Sequence, residues 1–198
     1  MITIIDYGMG NLHSVQKAFE AIGAQAVIVQ EAKQIKSADK IVLPGVGAMA
    51  CAMDRLNELG LVPAIREVIT QGKPFLGICL GMQLLFNETE EGGKIRGLGI
   101  LAGSVKKFRS LKVPQIGWNQ VQNKNSCKLF NGIEDKSFVY FCHSYYCQPE
   151  DTSLVAAQTN YGIDYASAVC KGNIWGVQFH PEKSQEVGLR ILKNFSTF

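Results

Sequence analysis

Gly77-Ile78-Cys79-Leu80-Gly81 sets a cysteine between two glycines, where the short apolar run from Phe75 to Ile78 meets a segment with helical spacing. A sharp strand-to-helix turn forces its central residue into strained backbone geometry and presents its side chain, the arrangement of a nucleophile elbow. Small neighbours let a second backbone or a substrate carbonyl approach the sulfur. A helix starting just past Cys79 would add free amides and its positive end, favouring thiolate over thiol and stabilising an oxyanion beside it. The competing reading is a structural cysteine buried in a tight turn.

A thiol nucleophile needs a base that later serves as the acid for the leaving group. The chain has 3 histidines, His13, His143 and His180. His180 follows the apolar run Ile174-Trp175-Gly176-Val177-Gln178-Phe179 at what reads as a strand's end, and Glu182, past the stiffening Pro181, is placed to orient its imidazole. Taken alone, His-Pro-Glu is equally an ordinary strand end with a surface carboxylate; alongside the cysteine elbow it reads as base and orienting acid. His13 falls in the first helical stretch, where a polar surface or cap-adjacent position is expected. His143, in Cys142-His143-Ser144-Tyr145, is either a satisfied half-buried histidine or a substrate contact, and the polar cluster inside an aromatic strand region favours contact.

These residues need a scaffold, and the chain patterns as one. Ile2 to Ile5 is a β-branched run, Gly8-Met9-Gly10-Asn11 a turn, and Leu12, Val15, Ala18, Phe19 and Ile22 the apolar stripe of a helix. Asn11 can cap that helix and Gly23 end it; Ala26 to Val29 and Lys40 to Leu43 then read as buried strands. Residues 48–71 are helical in pattern with a break near Gly60 and Pro63, and 80–87 resume helical spacing after Cys79. From Leu101 the chain turns to short alternating runs rich in valine and tyrosine, ending in a helix near 184–196. Repeated βα units imply a parallel sheet, which the second half extends with strands and hairpins.

A chain of 198 residues, 46% hydrophobic, is long enough for one substantial core, and without a low-complexity linker or internal repeat one domain over 1–198 is expected. Lys and Arg total 20 against 17 acidic residues, interspersed, which argues against nucleic acid as a partner. The start has no signal-peptide pattern and no stretch reaches about 18 uninterrupted apolar residues, so no membrane association and a cytoplasmic location are expected. The 6 cysteines are scattered in a chain that needs no staples, so reduced thiols are the better reading. Cys142 and Cys147 lie in one strand-like run that would point them to opposite faces, and no metal site is expected.

Gly77-Ile78-Cys79-Leu80-Gly81-Met82-Gln83 with Gln178-Phe179-His180-Pro181-Glu182 resembles the class I, triad-type glutamine amidotransferases. More narrowly, Pro44-Gly45-Val46-Gly47, Pro114-Gln115-Ile116-Gly117-Trp118-Asn119, His143-Ser144-Tyr145 and His180-Pro181-Glu182-Lys183-Ser184 resemble the glutaminase subunits of imidazole glycerol phosphate synthase, and with the opening Asp6-Tyr7-Gly8-Met9-Gly10-Asn11 the likeness runs nearly end to end. It implies an α/β fold with a mixed, largely parallel central sheet flanked by helices and additional antiparallel strands in the second half. It implies that Cys79 attacks the glutamine carboxamide, giving a thioester and ammonia, with His180 moving protons and Glu182 holding His180.

By the same resemblance the oxyanion meets the amide of Leu80 and one from the Val46-Gly47 loop. Gln83, Glu91, His143, Ser144 and Tyr145 grip the amino-acid end of glutamine, and Asn11, Trp118 and Lys183 lie at or near the subunit interface. Trp118 is equally a core anchor on its own reading, and Lys183 a solvated helix start. No cofactor is implied. The partner implied is a (β/α)8-barrel cyclase, forming a heterodimer in histidine biosynthesis. Gly45 and Gly47 permit peptide orientations that bulkier residues resist, so the segment is either a tight turn or the switch that completes the oxyanion hole when the partner is loaded. Other readings are a paralogous glutaminase feeding a surface-sugar synthase, a thiol peptidase and a catalytically silent subunit. A dinucleotide site on Gly8-Met9-Gly10 would need a third glycine where His13 stands.

Overall fold

A computed structural model describes residues 1–109, 111–124 and 127–198. The first half alternates strands and helices: β1 (Ile2–Ile5), α1 (Leu12–Ala21), β2 (Ala26–Val29), α2 (Ala32–Lys36), β3 (Lys40–Gly45), α3 (Met49–Glu58), α4 (Leu61–Thr70), β4 (Phe75–Cys79) and α5 (Leu80–Gln83). Then come β5 (Phe86–Thr89), β6 (Ile95–Arg96), β7 (Leu101–Lys107), β8 (Gln115–Asn123), β9 (Ser137–His143), β10 (Tyr145–Pro149), β11 (Val155–Asn160), β12 (Asp164–Lys171), β13 (Ile174–Val177) and α6 (Gln185–Ser196).

The sheet has the parallel order β2-β1-β3-β4-β13 and continues antiparallel through β12, β10 and β7, with β5 and β6 beyond and β11, β8 and β9 branching from β12. The fold is thus the expected parallel α/β core with antiparallel strands added by the second half. Strand residues alternate between two cores: Ile5, Leu43 and Phe75 pack under α3 and α4, while Ile4, Val42 and Leu76 pack against Phe19 of α1 and Ile191 and Phe195 of α6. Both faces are covered, which explains why these strands read as continuous apolar runs. Each fully buried Ile or Phe contributes roughly 1.5–3 kcal/mol over an exposed one.

Local signals behave as their chemistry predicts. Asn11 caps α1 by accepting from the Ser14 amide at 3.4 Å, and α4 starts after Gly60, whose φ of 64° is left-handed. Pro63 sits in the first turn of α4, where its missing N–H costs nothing. Two expectations need correction, and one element was not foreseen. The helix read over 80–87 stops at Gln83, because Leu84 and Leu85 are buried and Phe86 pairs with Leu101 of β7, so sheet pairing overrides local helical spacing. The strand-like run holding Cys142 and Cys147 is two strands split at Ser144, with Cys142 exposed on β9 and Cys147 buried on β10. The five-residue α2 carries too few residues to show a periodicity. Among the described residues no helix is long and apolar enough to cross a membrane.

Candidate active site

Cys79 ends β4 with φ 55° and ψ −108°, a conformation that non-glycine residues avoid. Three neighbours hold the elbow there. Parallel pairing sets Gly45 of β3 opposite Cys79 and Val177 of β13 opposite Ile78, so the extensions of both strands converge on the sulfur at the carboxyl ends of the parallel strands. Gly81 packs so closely on β3 that an added Cβ would strike the Leu43 carbonyl oxygen, which gives the second glycine of the elbow a steric reason. The helix after Cys79 is shorter than expected. At a single turn, α5 offers first-turn amides but little macrodipole.

His180 Nδ1 lies 2.8 Å from Glu182 Oε1, and the Glu182 side chain is 2% exposed, so the surface-carboxylate reading does not hold. Burial by itself lowers the basicity of the His180 imidazole; hydrogen bonds to Cys79 and Glu182 outweigh it and carry the pKa up to about 10. Sulfur and carboxylate thus both favour the protonated form of the imidazole. Its loop is braced from below: His180 N–H donates to Tyr140 O at 2.9 Å, and Ser184 Oγ donates to His180 O at 2.7 Å while accepting from Tyr140 N–H at 3.0 Å.

Val46, Gly47, Leu80, Gln83, Glu91, His143, Ser144, Tyr145, Lys183, Cys79 and His180 line one cavity of about 500 Å3, joined by Ala48, Pro114 and Cys142. That volume suits a small polar molecule. Gly45 is pinned, since an added Cβ would strike the Tyr7 hydroxyl, whereas Val46 beyond it is 44% exposed and Gly47 takes φ 91°. The Tyr7 hydroxyl is buried without a partner among the described residues. Burial, then the charge at Cys79, push its pKa well up.

Several expected contacts turn out to be occupied. Gln83 Nε2 donates to Tyr145 O at 3.0 Å and to Gln178 Oε1 at 3.1 Å, and Glu91 Oε2 accepts from Met49 N–H at 2.8 Å at the start of α3. His143 is buried, with Nδ1 2.7 Å from Tyr145 O and Nε2 3.3 Å from Tyr165 Oη. Burial, followed by the charge on His180, overrides the Tyr145 bond and lowers its pKa to about 4. His143 is therefore a neutral, satisfied wall of the cavity. His13 is exposed on α1, as its position suggested.

Two of the three residues tied to an interface meet at Tyr140. Lys183 sits at the cavity with its Nζ 5.7 Å above the Tyr140 ring; Trp118, 46% exposed, meets the same ring edge-on at 6.1 Å between ring centroids and is no core anchor; Asn11 is at the α1 cap. Sequence reasoning missed Gln178 and Ser184, both inside quoted motifs. For Gln178 the signal was a polar residue in an otherwise apolar strand end; Ser184 gave none beyond its place before the last helix.

The chain belongs to the class-I glutamine amidotransferases, whose family model matches residues 3–197. Within them it belongs with the HisH subunits. It is 51% identical over 203 residues to imidazole glycerol phosphate synthase subunit HisH of Syntrophotalea carbinolica, covering 98% of each chain, and 50% identical over 201 residues to that of Chlorobaculum tepidum, covering 100% of each. A crystal structure of a glutamine amidotransferase shares the fold with a TM-score of 0.79 at 17% identity over 100% of both chains. PurLQS from Thermotoga maritima does so at 0.78 with 20% identity, covering 98% of this chain and 96% of that one.

Proposed function

We propose that this chain is the glutamine-hydrolysing subunit of an imidazole glycerol phosphate synthase, one amidotransferase domain over 1–198, working in the cytoplasm beside a (β/α)8-barrel cyclase in a heterodimer. The observation that carries the reading is the buried His180 bridging Glu182 at 2.8 Å and the strained Cys79 in a cavity at the strand ends.

In this reading the Cys79 thiolate attacks the carboxamide carbon of glutamine, and the oxyanion is met by the Leu80 amide and one from Val46-Gly47. His180 delivers its proton to the departing nitrogen, the C–N bond breaks, and ammonia leaves a glutamyl thioester. Neutral His180 then takes a proton from water, which attacks the thioester; the C–S bond breaks, releasing glutamate and restoring the thiolate. Glu182 keeps the imidazole oriented and stabilises its charge. Gln83, Glu91, His143, Ser144 and Tyr145 shape the glutamine pocket, His143 and Gln83 through the chain they support more than through free polar atoms. Asn11, Trp118 and Lys183 are assigned to the cyclase-facing side. Ammonia is mostly protonated in neutral water and then not nucleophilic, which favours a shielded transfer to the partner.

The experiment is glutamate release by the purified chain, alone and with a histidine-pathway cyclase carrying its ribotide ligand, with Cys79→Ala as control. Stimulation lost in the variant supports the assignment. Equal rates with and without the cyclase would remove the switch at Gly45-Val46-Gly47, and glutamate release by Cys79→Ala would remove the nucleophile.

A further inference from the structure

Gln178 is fully buried just past β13, its backbone N–H bonded to Ser167 O at 2.9 Å, and its side chain reaches the nucleophile. Its Nε2 lies 3.7 Å from Cys79 Sγ and its Oε1 accepts from Gln83 Nε2 at 3.1 Å. The orientation is dictated from the far end. Tyr145 O can only accept, so Gln83 must present its NH2 there, at 3.0 Å. The same NH2 faces Gln178, which must answer with its oxygen. The Gln178 NH2 is left with one direction, toward the sulfur.

Cys79 Sγ is also 4.0 Å from Cys142 O, an acceptor that suits the thiol and repels the thiolate. A thiolate at this buried position needs donors, and His180 gives up its proton during the reaction.

We propose that Gln178 is a further catalytic residue, whose amide N–H donates to the Cys79 sulfur as free thiolate and again as leaving group, with Gln83 as the positioning residue that fixes the donor's orientation. The inference rests on Cys79 being the nucleophile. In thioester hydrolysis the C–S electron pair returns to sulfur while His180 has just taken up the proton of water, and Gln178 N–H is already aimed at the re-forming charge.

The test is the pH profile of Cys79 alkylation by iodoacetamide, read by mass of the Cys79 peptide, on the full chain and on folded Gln178→Leu and Gln178→Glu variants. The pH of half-maximal alkylation moves up by about one unit in Gln178→Leu, with a rate at neutral pH roughly tenfold lower. It moves further in Gln178→Glu, where acceptors face the sulfur, and kcat falls with KM little changed. A rate that drops equally at every pH, with the midpoint unmoved, marks a merely structural role and overturns the proposal. If Gln178→Leu does not fold, Gln83→Leu, which frees the Gln178 amide to turn over, gives a smaller shift of the same sign, and no shift there also overturns it. Glutamate release that survives Cys79→Ala overturns the nucleophile itself, a result distinct from an unmoved midpoint.

Discussion

Tyr140 clamps His180 with its backbone alone: Tyr140 O takes the His180 N–H at 2.9 Å, and Tyr140 N–H reaches the same loop through Ser184 Oγ, itself bonded to His180 O at 2.7 Å. The side chain of Tyr140 meanwhile contacts both Trp118 and Lys183. One residue of β9 thus touches both the loop bearing the base and the exposed apolar face formed with Ile116 and Phe138, 61% and 53% exposed.

Ser184→Ala removes the hydroxyl from that clamp and takes from the Tyr140 N–H its acceptor, while the His180 carbonyl keeps only the Lys183 N–H at 3.0 Å. Stability falls by about 1–3 kcal/mol in a denaturant titration with unchanged slope, and glutaminase activity falls with it. An unchanged midpoint would show that the bridge is dispensable.

Glu182→Gln keeps the shape but takes away the charge beside His180 Nδ1. Activity falls on the order of a hundredfold or more. The pH dependence of stability has a defined sign. His180 is raised from 6.5 to about 10, so its contribution is complete below 6.5 and is lost as pH rises through 10. In Glu182→Gln the contribution is smaller and has vanished at a lower pH, which urea titrations across the range detect.

His143 works in the opposite direction. Its folded pKa is lowered from 6.5 to about 4, so the unfolded chain binds the extra proton between those values. Stability is present above 6.5 and declines as pH falls toward 4, by up to about 3 kcal/mol. His143→Gln flattens this part of the profile, and an equally steep decline in the variant would clear His143 of the effect.

Of the scaffold, what depended on small neighbours and strand-end position was readable: Cys79 between its glycines, His180 after its apolar run, Asn11 before its helix. Leu84, Leu85 and Phe86 were not, because a short apolar run suits a helix or a strand equally and only Leu101, distant in the chain, decides it. Nor was Gln178, since its role lies in which way an amide faces, and that is set by Tyr145 O through Gln83. For His143, polarity in a strand is visible in sequence while the partners that satisfy its ring are not.

Tyr7 and Gly45 form a contrasting pair. The Tyr7 hydroxyl is buried with no partner among the described residues, so Tyr7→Phe is neutral or stabilises by up to about 1 kcal/mol in thermal melts. Gly45→Ala drives a methyl into that hydroxyl and costs about 1–3 kcal/mol. Combining the two substitutions recovers part of the loss, and strict additivity would mean they do not meet.

The pairing of Val177 with Ile78 also orders events in time. β13 slots between β4 and β12, and it is the strand that carries the base to a nucleophile made far earlier in the chain. While the ribosome is still at work the elbow has no His180 beside it. A nascent chain therefore holds a thiol without its base, and glutamine is safe from it until β13 and the loop that follows it have been made.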